Sequence, residues 1–215
     1  MDNPMGQGFK LYRGPNGAEQ ASALPALVIA SQAFNINNGA QGIRLRQGDP
    51  IVQNSSGGVS LCDGTEGSGG AVAPFGIVEH VGPYYDSVTG RMKQADGYPS
   101  GINWGTNQDR AGYVWYIPLA GCIWEVDVDD ADTAATLAAY QTLVHNNVNH
   151  ILTGEVGDVY AKPKLDIATA ATTNTLLWRI VGISKTVPND PAELNFKLLV
   201  KANIIADAPN APLGV

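Results

Sequence analysis

The stretch Tyr113–Asp130, YVWYIPLAGCIWEVDVDD, divides at Pro118 and Gly121 into two apolar-rich segments. In the second, Trp124, Val126 and Val128 fall on one face, and Glu125, Asp127 and Asp129 on the other. A period of two predicts a strand with one buried and one wet face. The pattern recurs. Ile43 and Leu45 share a face, Gly48-Asp49-Pro50 turns the chain into Ile51-Val52, and Ser55-Ser56-Gly57-Gly58 turns it again before Val59-Ser60-Leu61. That is a meander of short strands. Asp63–Gly70 reads as a Gly/Ser loop. Phe75–Val81 carries apolar residues on both faces, which predicts burial on both sides. Leu165 with Ile167, then Leu176, Trp178 and Ile180, then Phe196, Leu198, Val200 and Ala202 mark further strands. Thr169–Asn174 reads as a small-residue loop. Helical spacing shows once: Asp132 offers an N-cap to an Ala-rich run in which Leu137, Tyr140 and Val144 stand at i, i+3 and i+7.

Two segments lack a period. In residues 1–30, Phe9, Leu11, Tyr12, Leu24, Leu27 and Val28 are scattered among Gly and Pro, with Asn16-Gly17 as a turn signal. This reads as an extended arm, able to span up to ~100 Å if fully stretched. Phe9, Leu11 and Tyr12 are its candidate anchors on a partner surface. On that reading, removing residues 1–30 leaves the β fold intact. Gly82–Gly112 reads as a long loop bearing Tyr84, Tyr85, Tyr98 and Trp104. Loops of that length tend to be functional, and aromatic side chains on them anchor interfaces or stack on sugar rings. The competing reading packs them over the end of the body. The chain is thus expected to be all-β, an antiparallel barrel or sandwich. The body covers 31–205, the pattern leaves open a division into two subdomains near Asp130, and 206–215 forms a tail. No tandem repeat is visible.

Composition narrows the function. The 215 residues suffice for a substantial core. Charged residues make up only 15%, against roughly 25% in an average domain. Such a surface suits a protein partly covered by neighbours. The net charge is −7. Gripping nucleic acid needs clustered Lys and Arg. The densest groups, Lys162 with Lys164 and Lys197 with Lys201, read as wet strand faces. Neither nucleic acid nor an anionic membrane is an expected partner. The N-terminus MDNPMGQGFK has no apolar h-region, and no run approaches the ~18–20 apolar residues of a membrane span. A soluble protein made in the cytosol is expected.

The sequence carries no recognisable catalytic or metal-binding pattern. No Gly-x-Ser-x-Gly elbow surrounds a serine, and Cys62 and Cys122 lie in apolar or Gly-rich contexts without a cationic neighbour. The two cysteines allow one bridge or two buried thiols. His145 and His150 are five apart, do not share a helix face, and have no third ligand nearby, so they read as satisfied surface histidines. His80, in a strand, reads as a partly buried polar residue. Asp127–Asp132 lacks the glycine and terminal glutamate of a calcium loop and reads as a solvated strand edge. No enzyme, cofactor or metal is expected.

The order of elements resembles the head decoration, or cement, proteins of tailed bacteriophages. The resemblance rests on five stretches: Gly48-Asp49-Pro50-Ile51-Val52, Gly76-Ile77-Val78 followed by Tyr84-Tyr85, Trp124–Asp130, Arg179–Ile183, and Lys197–Lys201 with Asn203 just after. It covers about residues 34–205 and departs from the family in the long 82–112 loop and the N-terminal arm. The resemblance implies a non-enzymatic virion protein on the outer head surface, produced in the host cytoplasm. Its partners would be the major capsid protein and itself, as a trimer more readily than a dimer. A carbohydrate-binding or host-adhesion module is the alternative.

Overall fold

The computed structural model describes residues 8–18, 20–28, 45–53, 58–62, 64, 73–86, 90–93, 97–98, 112–129, 136–153, 162–186, 189–191 and 196–204. Expectations placed on 31–44, 55–57, 65–70, 130–135, Trp104 and the tail 206–215 lie outside these residues. The strands are β1 (Lys10–Arg13), β2 (Leu24–Leu27), β3 (Leu45–Arg46), β4 (Pro50–Gln53), β5 (Val59–Leu61), β6 (Gly76–Val81), β7 (Tyr84–Asp86), β8 (Arg91–Lys93), β9 (Gly97–Tyr98), β10 (Tyr113–Pro118), β11 (Ile123–Asp127), β12 (Asn147–Thr153), β13 (Lys162–Ala171), β14 (Trp178–Ile183) and β15 (Lys197–Ala202). The helix α1 is Leu137–Thr142. The protein is all-β and antiparallel, as its alternation predicts. Thr136, not Asp132, caps the helix: the Ala139 N–H donates to Thr136 Oγ1 at 3.2 Å. Thr169–Ala171 belong to β13 rather than to a loop. The expected 82–112 loop contains the hairpin β7–β8 and β9, which pairs with β3.

Two larger sheets organise the molecule. One has the order β2-β10-β6-β4-β5, and Val28, just past β2, bridges in parallel to Val59 of β5. The other has the order β1-β11-β15-β14-β12-β13, and Val128, just past β11, bridges in parallel to Leu165 of β13. Each bridge joins the two ends of a five-strand run, so each run closes into a barrel, and β1 is an added strand on the second. Each bridge covers the edge of the first strand only at its end, at Val28 and at Val128.

The two barrels are the same structure built twice. Number the five strands of each in chain order, and both follow one-five-four-two-three, closed by a parallel bridge between one and three. The registers match between strands one and five, two and four, and four and five, while between strands two and three the second barrel has an irregularity at Asn147/Asn149 that the first lacks. In strands one and five, Tyr113↔Leu27 through Tyr116↔Leu24 correspond to Lys197↔Asp127 through Val200↔Trp124. In strands four and five, one residue bulges out of strand four in each barrel, Glu79 and Val181, the fourth residue of its strand both times. Loop hydrogen bonds repeat as well. The Val28 N–H donates to Gly112 O at 3.0 Å, and the Val128 N–H to Phe196 O at 2.8 Å. The Gly48 N–H donates to Val78 O at 2.9 Å, and the His145 N–H to Ile180 O at 2.8 Å. Both residues of this last pair are left-handed, with φ 86° at Gly48 and 78° at His145.

Each barrel is filled by matching side chains. Val28, Ile51, Val59, Leu61, Phe75, Val78 and Val114 are buried in the first. Their counterparts Val128, Val148, Leu165, Ile167, Leu177, Ile180 and Leu198 are buried in the second. Where the residues differ, the large side chain sits on a different strand. In the first barrel the Tyr116 ring fills the space above Gly76, so close that a Cβ there would stand 2.2 Å from a ring carbon. In the second, Trp178 replaces the glycine and Val200 replaces the tyrosine, both 0% exposed. The boundary between the barrels is the tight turn Leu119–Cys122, where the Cys122 N–H donates to Leu119 O at 3.1 Å. It precedes the division near Asp130 that the sequence leaves open.

The first barrel has its own interior cluster, and its outer side joins the cluster of the second. Val52, Ile77, Ile117 and Leu119 point out of the first barrel and belong to the cluster containing Trp124 and Trp178 of the second. Their counterparts on the second barrel are Asn149, Arg179, Lys201 and Asn203, of which Arg179 and Lys201 are exposed. The first barrel therefore docks its apolar outer side on the second, while the second turns the equivalent side to water.

Two expectations are corrected here. The segment 8–28 is not a free arm. β1 pairs with β11, and β2 is the first strand of the first barrel. Removing it takes away part of both barrels, so the fold is not expected to survive. Glu125 and Asp127, assigned to a wet face, are 4% and 3% exposed. Glu125 is buried because the side chains of Ser184, Thr186 and Lys197 lie against it.

Candidate interaction surface

The buried polar groups hold the fold together. Glu125 lies opposite Lys10 of β1 and Leu199 of β15. The hydroxyl of Ser184 donates to its Oε2, that of Thr186 does so at 2.6 Å, and Lys197 Nζ stands 3.6 Å from Oε1. Burial alone pushes this carboxyl up; the two hydroxyls and the charges of Lys197 and Lys10 outweigh it and leave the group below its ordinary 4.5. Asn189 adds a clamp: its Oδ1 accepts the Lys197 N–H at 2.7 Å, and its Nδ2 donates to Ser184 O at 2.9 Å. Together these groups fasten the segment after β14 onto the second barrel.

His150 is the polar pin between the barrels. It is 1% exposed, not a surface histidine. Its Nδ1 accepts the indole N–H of Trp178 at 3.0 Å, so Nε2 carries the proton and donates it to the Cys62 carbonyl, also at 3.0 Å. Phe9 closes over this pair, 4.3 Å from the Trp178 ring and edge-on to His150. Cys62 and Cys122 are both buried free thiols. His145 is exposed, as expected of it.

Among the described residues, Asp49 is the one buried carboxylate with an unpartnered oxygen. It is 1% exposed, its Oδ2 accepts the Arg46 N–H at 2.8 Å, and its Oδ1 has no hydrogen-bond partner. Burial raises its pKa to about 8, against the partly opposing charge and N–H of Arg46. Asn146, which is neutral, holds the equivalent place in the second barrel. Among the described residues, no three His, Cys, Asp or Glu side chains are placed to hold a metal ion.

The expected anchors separate. Phe9 is 3% exposed and belongs to the core, so it is not available to a partner; the aromatic mouth of the second barrel takes it. Leu11 is partly buried against the same core. Tyr12 is exposed at 36%. Tyr84 and Tyr85 lie on β7 and Tyr98 on β9, so the structure places them on paired strands. Trp104 is outside the described residues.

Other residues form the accessible apolar surface. Leu24 is 45% exposed at the start of β2, and Tyr113 is 50% exposed on β10. His80, more open than expected, stacks on Trp115 with ring centroids 4.4 Å apart and planes 10° from parallel. A groove lined by Pro15, Ala18, Gln20, Ala21, Ser22, Leu24 and Pro118 runs beside the start of β2. The one sequence signal for this surface is Pro25, since a proline inside an apolar run marks an edge strand. Comparison with protein-family models, curated proteins and solved structures finds no match for this chain.

Proposed function

We propose that this chain is a structural virion protein that binds the outer surface of a tailed-phage head, bridges major capsid protein subunits and stabilises the mature shell. The observation that carries the reading is the duplicated barrel. A bridging protein needs two faces held together in one molecule. Two barrels of one strand order, joined through the apolar cluster that holds Val52, Ile77 and Trp178, supply two such faces. Bivalence raises avidity without new contacts, because the second contact forms at high effective concentration. The low charge content and the exposed Tyr12, Leu24 and Tyr113 suit contact with a protein lattice. A closed trimer matches a threefold site on such a lattice. The sequence resemblance points the same way.

A ligand that binds only the assembled shell stabilises it by mass action. Adding the purified protein to phage heads made without it is therefore expected to raise the temperature at which they release DNA. Unchanged release at saturating protein would end this reading. One observation favours a second reading, glycan binding: the His80–Trp115 stack and Tyr113 form an exposed aromatic face. Selective binding on a glycan array, lost in Trp115→Ala, is the result that would favour it.

A further inference from the structure

The duplication shows what a barrel of this type accepts at the edge of its first strand. In the second barrel that edge is Ile123–Glu125, and β1 adds to it antiparallel. The residue before β1, Phe9, enters the barrel mouth against Trp178. In the first barrel, the register places Ala23, Leu24 and Pro25 at the same positions. No strand pairs with this edge among the described residues.

Three features make the edge receptive. The Val28 N–H points toward β10, where Gly112 accepts it. Backbone direction alternates along a strand, so Leu24 and Ala26 also face β10, while Ala23 and Pro25 turn their groups to the open side. An added strand would find the N–H and C=O of Ala23 and the C=O of Pro25. Leu24 is 45% exposed where its counterpart Trp124 is 1% exposed under β1. The groove beside it is lined by Leu24 and Pro118, the counterparts of Trp124 and Ala202. Both of those belong to or pack on the core that holds Phe9. Pro25 withholds one N–H, so this edge offers one donor fewer than the matching Glu125 position of β11.

We infer that the Ala23–Pro25 edge and the adjoining groove receive an extended segment of a partner protein that carries a bulky apolar residue, as β1 and Phe9 do for the second barrel. A second copy of this chain is not the occupant, because the matching strand of each copy is engaged by its own β11. The recognition is strand addition, with backbone bonds for affinity and one pocket for specificity.

The probe is a synthetic peptide of residues 6–14, GQGFKLYRG, the strand known to fit the sister edge. A benzophenone-bearing residue replaces its Phe, and the peptide is irradiated with the full-length protein. The proposal expects crosslinks within residues 18–24 and at Pro118. Labelling should fall at least about tenfold in Leu24→Glu, with circular dichroism unchanged because Leu24 is exposed. Crosslinks only near Trp178 and His150 would show exchange of the protein's own strand and overturn the proposal. So would labelling no greater than that of a scrambled peptide. A change in sedimentation mass on Leu24→Glu would make a second copy the occupant and overturn the choice of partner. Because no shell is present, failure here leaves the proposed head binding to be judged by its own test.

Discussion

Replacing Asp49 by Asn should stabilise the protein, and by an amount that depends on pH. The carboxyl is 1% exposed, has one oxygen without a partner, and ionises near 8 in the fold against an ordinary 3.8. The folded state therefore keeps a proton that the unfolded chain gives up. Stability falls with pH wherever the native state binds more protons than the unfolded one. The penalty is absent below 3.8, grows through the window up to about 8, and is constant above it. The window spans 8 − 3.8, about four pH units. At about 1.4 kcal/mol per unit the penalty is capped near 6 kcal/mol. The value near 8 already contains the Arg46 charge, and water entry reduces the penalty to about 2–4 kcal/mol. Asn cannot ionise, and Asn146 already fills the equivalent turn with the same backbone bond, its C=O accepting the Ile180 N–H as Asp49 accepts that of Val78. The assay is urea unfolding of both proteins at pH 4, 6, 8 and 9. Subtracting the variant from the wild type cancels every other titrating group. The difference should be small at pH 4, widen to pH 8 and then level off. A difference that does not change between pH 4 and 9 would refute the reasoning.

Other substitutions test the remaining parts. Glu125→Gln should cost about 1–3 kcal/mol at neutral pH. Since the folded carboxyl lies below 4.5, the wild-type advantage should shrink as pH falls below that value, read by unfolding at pH 7 and pH 3.5. The paired left-handed residues should respond oppositely. Gly48→Ala should destabilise by about 1–2 kcal/mol, while His145→Gly should gain up to about 1 kcal/mol; equal signs in thermal melts would show that the two turns are not equivalent. Phe9→Ala should cost about 3–5 kcal/mol, and deleting residues 1–13 should lower stability at least as much. Unchanged melting after that deletion would restore the free-arm picture.

Much of the second barrel is legible in the sequence. Trp124, Val126 and Val128, and then Phe196, Leu198 and Val200, alternate cleanly because each strand has one face on a core. Asn16-Gly17 marks a real turn, with φ 58° and 81° and the Ala18 N–H donating to Pro15 O at 3.3 Å. Glu125 misleads because the groups that satisfy it come from far along the chain: Ser184 and Thr186, 59 and 61 residues away. β1 and β2 show no period because each has only four residues, Lys10–Arg13 and Leu24–Leu27, too few for an alternation to stand out. The duplication is invisible in the sequence for a different reason. Gly76 with Tyr116 answers Trp178 with Val200, and the stacked His80–Trp115 pair answers Gly182 with Leu199. Strand order and most of the register are kept, while residue identity and side-chain volume are not. The accessible surface is the least legible part, because Leu24 and Tyr113 differ from core residues only in what fails to cover them.

The proposed role is tested most directly by co-sedimenting the purified protein with expanded phage heads made without it, alongside unexpanded proheads. The account predicts saturable binding to expanded heads alone, at a fixed ratio to the capsid subunit. Absence of binding to either particle, or equal binding to both without saturation, would contradict it.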